Sequence, residues 1–204
     1  MCFTTQQSLK AQALENRYQA KLEHPDAYNP GIYRAFAFPK TPVICNTNPE
    51  NIEMVQWGLI PHWAKDPSIQ RYTLNARHET LHEKPSFKYY IKQPCIILVD
   101  AFYEWQWLDP KGSKKQAYRL SLKQETGFSI AGLWSTWVNP QTGQQQKTYT
   151  LITQEAQGQM REIHNRAMRM PLMLNSSQER LWLEQKAVVN AFEHIQAEPV
   201  SMGN

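Results

Sequence analysis

Cysteine stands second in this chain, directly behind the initiator methionine, and no other residue offers such distinctive chemistry. Removal of Met1 would leave Cys2 with a free α-amine and a thiol on adjacent carbons, a 1,2-aminothiol. Such an amine titrates at about pH 8, so roughly a tenth of it is neutral and nucleophilic at neutral pH. The pair condenses with an aldehyde: the amine forms an imine, and the sulfur then closes a thiazolidine ring in a step favoured by intramolecularity. The competing reading is an ordinary free cysteine, a small hydrophobe with no reaction to perform. Other candidates decide between the two.

In FYEWQW, strand alternation puts Phe102, Glu104 and Gln106 on one face and Tyr103, Trp105 and Trp107 on the other. Glu104 is either a solvent-facing strand carboxylate or, beside an aromatic-lined surface, a partly desolvated acid whose raised pKa suits proton transfer. Asn75 precedes Ala76 and Arg77 where a helix is expected to start, as an N-cap or as an amide free to bind a ligand. His164 lies among Arg161, Arg166 and Arg169, so its imidazole stands near several cations, and on its own it reads as a surface histidine. Trp63 is a core residue or a platform for stacking bases. Residues 78–82, His-Glu-Thr-Leu-His, match a short zinc-protease pattern. Pro85 limits the helix that pattern requires and no third ligand follows at a recognised spacing, so no metal or other cofactor is expected.

The elements that position these residues follow from periodicity. A surface helix is expected over 8–23, then strands at 32–38, 42–46 and 52–60. Residues 76–92 read as a helix in two pieces broken at Pro85, and strands return at 95–107, 116–123, 127–138 and 147–153. A loop and short strand at 170–174 lead to a helix capped by Ser176 or Ser177, and 187–196 reads as a final helix. This order predicts an α+β fold: one domain over 1–204, its curved and mainly antiparallel sheet flanked by helices, with the last few residues a flexible tail.

Composition sets the bounds. The 204 residues carry a net charge of +4 and an isoelectric point near 8.9, which permits nucleic-acid binding without establishing it. Three cysteines, at 2, 45 and 95, are odd in number and lack C-x-x-C spacing, against a disulfide framework or a thiolate zinc site. No signal peptide or membrane-spanning run is apparent, so a cytoplasmic protein is expected.

Four segments together resemble the SRAP family, the SOS response-associated peptidases or abasic-site processing proteins. They are Met1-Cys2, WGLIPHW (57–63) with NARHET (75–80), FYEW (102–105), and Ile163-His164 leading to Arg169-Met170-Pro171. The resemblance implies a protein that captures abasic sites in single-stranded DNA by bonding Cys2 to the ring-opened sugar aldehyde. In this picture Cys2, Asn75, Glu104 and His164 are catalytic. Asn75 holds the sugar, Glu104 is the acid/base, and His164 stabilises the sugar and its phosphate, with a part in β-elimination or adduct reversal. Arg77, Trp63, Arg161 and Arg169 contact DNA. The implied partner is single-stranded DNA with abasic sites, bound by a monomer that associates with the nucleoid and needs no membrane or obligate protein partner. A thiol peptidase using Cys2, on its own Met1 or on another substrate, and a noncatalytic single-stranded DNA-binding module are the alternatives. The chain departs from the pattern at Phe3 and Thr4, where glycine and arginine are common, at 99–101, and by three extra residues between His164 and Arg169.

Overall fold

Continuous apolar runs and alternating segments sort this chain into strands that are buried on both faces and strands that are buried on one. The computed structural model describes residues 2–201; the expected flexible tail lies largely outside them. In chain order the elements are β1 (Thr4–Gln7), α1 (Ala11–Tyr18), β2 (Lys21–Leu22), β3 (Gly31–Arg34), β4 (Lys40–Cys45), β5 (Asn51–Trp57), β6 (Asn75–Arg77), β7 (Pro94–Val99), β8 (Ala101–Trp107), β9 (Lys115–Leu122), β10 (Phe128–Val138), β11 (Gln145–Glu155), α2 (Met160–Ile163), β12 (Arg169–Pro171), β13 (Met173–Leu174), α3 (Ser176–Leu183) and β14 (Ile195–Val200). A smaller sheet runs β14-β9-β8-β1-β3 and a larger one β12-β11-β10-β7-β4-β5-β2. Most pairings are antiparallel; β2–β5, β5–β11 and β6–β11 are parallel. The α+β class and the mainly antiparallel core are as expected.

Every residue of β7 is buried, as a continuous apolar run predicts for a central strand. One hydrophobic cluster contains Phe102 and Leu120 of the small sheet together with Val43, Trp57 and Tyr149 of the large one. The segment expected as one strand over 95–107 divides at Asp100, where the chain leaves the large sheet and enters the small one. The Asp100 backbone N–H donates to Gln6 O at 2.9 Å. Its buried carboxylate accepts from the Ser8 N–H at 2.8 Å and from the Ser8 hydroxyl. This corner sets the β1–β8 register, Thr5 opposite Phe102.

Three expectations about helices are corrected. Residues 76–92 form no α-helix: Asn75–Arg77 is a strand, and only short 3-10 turns, His78–Thr80 and Lys88–Tyr90, follow. Hydrogen bonding to β11 outweighs the weak local helical periodicity there. Residues 187–196 form a 3-10 turn and then β14, paired to β9 along its length. The cap of α3 is Asn175 instead of either serine, in a reciprocal capping box with Gln178. Among the described residues no helix is long and apolar enough to cross a membrane.

Asp100→Ala leaves the Ser8 N–H and hydroxyl without their charged acceptor and loosens the corner. It is expected to lower unfolding free energy by about 1–3 kcal/mol in urea titration, with Asp100→Asn costing less.

Candidate functional site

The carboxyl of Glu104 lies where β8 passes under the start of the chain. Extending the β1–β8 register by two residues brings Glu104 opposite Phe3, next to Cys2. Glu104 shares its face with Phe102, which has no exposed surface, and is itself only 4% exposed. The solvent-facing reading of Glu104 is therefore excluded. Removal from water disfavours the charged form and raises its pKa from 4.5 to about 8.

His164 follows α2, and its Nε2 stands 3.7 Å from a Glu104 carboxyl oxygen. It is 8% exposed, so the surface-histidine reading also fails. Its Nδ1 lies 2.6 Å from the Arg169 carbonyl oxygen. A contact that short to a carbonyl places the proton on Nδ1 and leaves the Nε2 lone pair facing Glu104. Burial lowers the His164 pKa from 6.5 to about 4. At neutral pH the pair is a protonated carboxyl beside a neutral imidazole, an acid and a base with little net charge to solvate.

Cys2 has no exposed surface, and its Sγ lies 3.9 Å from Thr4 O. Burial first, and the Glu104 charge second, push the thiol pKa far up, so the sulfur is a protonated thiol at neutral pH. Tyr149, buried and 2.8 Å from the Thr41 hydroxyl, belongs to the same hydrophobic cluster as Cys2. No motif marks Tyr149 in the sequence.

Asn75 opens β6, opposite Leu151 of β11. Both its side-chain Nδ2 and Oδ1 are buried without a hydrogen-bond partner among the described residues. Leaving a buried amide unpaired is costly, so such groups mark strain or a ligand site. Arg77, two residues on, is exposed. Glu79, on the following turn, takes a bidentate pair from Arg169, both bonds 2.9 Å. Arg169 also donates to Thr153 O at 2.7 Å and is 9% exposed. Its guanidinium, expected as a phosphate contact, is engaged by Glu79 and so ties the NARHET turn to β12, whose Arg169 carbonyl meets His164. The same pairing occupies the glutamate of the His-Glu-Thr-Leu-His segment. That segment is a 3-10 turn without the helix a zinc-protease motif requires.

A profile of the family described as SOS response associated peptidase (SRAP) matches residues 1–202. The chain belongs to the SRAP family. Curated relatives include the abasic site processing protein YoqW of Bacillus subtilis (strain 168), 45% identical over 133 residues, which make up 65% of this chain and 57% of YoqW. The abasic site processing protein HMCES of Xenopus tropicalis is 32% identical over 178 residues, covering 72% of this chain and 51% of HMCES. The chain thus spans little more than half the length of these relatives. A crystal structure of a Bacteroides thetaiotaomicron protein superposes with a TM-score of 0.87 at 29% identity, covering 98% of this chain and 92% of the other.

In this SRAP chain the remaining sequence candidates stand apart from the buried centre. Trp63 is 45% exposed on the loop after β5, which removes the core reading. The Arg161 side chain is 62% exposed, donates to Ala156 O at 2.9 Å and lies 3.5 Å from Glu155. The three extra residues after His164 belong to a turn closed by Met168 N–H to His164 O at 3.0 Å, with Met168 in the left-handed region at φ 52°. Asn165 fastens that turn to β8, accepting from Trp107 N–H at 3.0 Å and donating to Trp107 O at 2.9 Å.

The two shifts act on stability in opposite directions. Glu104 has a folded pKa above its ordinary value, so its contribution is complete below pH 4.5 and is lost as pH rises through about 8. His164 is depressed, so its contribution is present above pH 6.5 and is lost as pH falls through about 4. Glu104→Gln should therefore gain melting temperature relative to the unsubstituted protein between about pH 5 and about pH 9, by about 3 °C or more. A difference that does not vary with pH would refute the buried neutral carboxyl.

Proposed function

We propose that this protein processes abasic sites in single-stranded DNA by forming a covalent thiazolidine crosslink through Cys2 after Met1 is removed. The observation that carries this reading is the buried, oppositely shifted Glu104–His164 pair beside a thiol at the second position of the chain. The names of YoqW and HMCES as abasic site processing proteins point the same way.

The Cys2 amine adds to the aldehyde of the ring-opened deoxyribose, giving a carbinolamine. Protonated Glu104 donates to the departing hydroxyl, which leaves as water, and an iminium remains. The thiol then adds to the iminium carbon; its proton passes to Glu104, restoring the carboxylic acid, and the new C–S bond closes the ring. One water is lost overall. A carboxyl with a pKa near neutrality serves both proton transfers, which an ordinary carboxylate would do poorly. The His164 Nε2 lone pair stabilises the proton on Glu104 and faces the sugar. Asn75 supplies the unpaired amide that binds a sugar hydroxyl or phosphate oxygen. Arg77 and Arg161 contact phosphates, and Trp63 stacks on a flanking base. The protein acts as a cytoplasmic monomer on the nucleoid, and the adduct shields the lesion.

The family's description as a peptidase favours one second reading, in which the Cys2 chemistry releases Met1 from its own chain. Intact mass of freshly made protein, unsubstituted and Cys2→Ala, tests it: Met1 lost equally from both assigns removal to a separate aminopeptidase.

The deciding experiment is a denaturing gel after mixing protein that begins at Cys2 with a single strand bearing one abasic site. A band that survives denaturation, requires the lesion and disappears in Cys2→Ala is expected. Glu104→Gln should slow its formation by about 100-fold or more, and Asn75→Ala should weaken it chiefly through half-saturation. No adduct from protein shown by mass to begin at Cys2 would sink the proposal.

A further inference from the structure

The stretch Arg34-Ala35-Phe36 runs beside Cys2 and carries two exposed side chains. In the β1–β3 ladder Thr4 lies opposite Arg34, and the next rung is Ala35 N–H to Phe3 O at 2.9 Å. Arg34 is therefore two residues of chain, about 7 Å, plus one ladder spacing of about 5 Å, from Cys2. A 3-10 turn over Ala35–Ala37 buries Ala35 and throws Phe36 outward. Phe36 is 64% exposed, and its ring rests on Phe3 at 4.8 Å between centroids with 37° between planes. Phe3 immediately follows Cys2, so this aromatic ledge borders the reacting residue itself.

The Arg34 guanidinium makes no hydrogen bond or ion pair with the described residues. Arg17, Arg119, Arg169 and Arg180 are each engaged with carboxylates. An exposed aromatic side chain supported from behind, with an unengaged cation on the same short segment, is the pairing that binds a nucleotide. The ring takes the base by stacking and the guanidinium takes the phosphate, neither with much dependence on sequence. Stacking survives any base identity because every base has a π face.

We propose that Arg34 and Phe36 form the subsite for the nucleotide adjacent to the abasic sugar, Phe36 stacking on its base and Arg34 pairing with its phosphate. This rests on the covalent-capture reading for the position of the sugar at Cys2. The ledge gives the protein a hold on the intact neighbour of the lesion, so that a lesion lacking any base is still registered against the nucleophile. It also supplies a cation beside Thr4, a position without charge of its own.

The test uses protein beginning at Cys2, with Arg34→Ala, Phe36→Ala and Phe36→Trp. All three changes are at exposed positions, and unchanged melting temperatures verify folding. The substrates are single strands with one abasic site whose 5′ or 3′ neighbour is either a normal nucleotide or a base-less tetrahydrofuran residue. Phe36→Ala is expected to raise the half-saturating DNA concentration for adduct formation about tenfold, Phe36→Trp to restore it, and the effect to vanish when the neighbour on one side has no base. Arg34→Ala should flatten the logarithmic salt dependence by about 0.7. Adduct formation with unsubstituted half-saturation and salt slope in both alanine variants would overturn the subsite. The same variants are compared by fluorescence anisotropy on a strand whose lesion is a non-reacting tetrahydrofuran residue. Absence of any adduct would count against covalent capture alone, while the anisotropy ratios between unsubstituted protein and variants would uphold or overturn the subsite independently.

Discussion

Taking a carboxyl group out of water disfavours its charged form and raises its pKa, and the arrangement around Glu104 depends on that rule. Phe102 on the same face of β8 and His164 at 3.7 Å enclose it. A second rule acts on the imidazole, since a buried base loses its proton for the same reason that a buried acid keeps one. The two shifts run in opposite directions and leave a nearly uncharged pair that a low-dielectric interior tolerates. Burial is the largest cause of both shifts.

Holding such a pair requires that three distant parts of the chain stay in register. Asp100 turns the chain from the fully buried β7 into β8 and anchors that turn on Ser8, which fixes β8 beside the residues that follow Cys2. Arg169 binds Glu79 bidentately and offers its own carbonyl to His164, so one residue joins the Asn75 turn to the imidazole. Asn165 closes the circuit by bonding Trp107, three residues beyond Glu104 on the same strand. Arginine suits the central place because its planar fork makes several bonds at once, which lysine cannot reproduce.

The groups of the proposed mechanism are divided between interior and surface on physical grounds. Proton transfer gains from exclusion of water, and Cys2, Glu104 and His164 are buried accordingly. Phosphate and base recognition needs access, and the residues proposed for it, Arg34, Phe36, Trp63 and Arg77, are exposed. The unpaired amide of Asn75 lies between these zones, partly buried at the head of a short strand.

Much of this was legible in the chain itself. The strand meander, the apolar run at 95–99 and the alternation of FYEWQW are local patterns, and local patterns survive folding because side-chain direction repeats with a fixed period. Legibility failed where the local pattern was weak and a distant strand supplied the hydrogen bonds, as at Asn75–Arg77 on β11 and at Ile195–Val200 on β9. The sequence by itself determined that a cysteine capable of aminothiol chemistry stands at the second position, together with the segments that mark the family. Only the tertiary structure decided that Glu104 is protonated and His164 neutral, that Arg169 turns inward to Glu79, and that Asn75 opens a strand with its amide unpaired. The reason is that a residue's type and spacing are properties of the chain, whereas desolvation and hydrogen-bond pairing are set by groups far apart in sequence that only folding brings together.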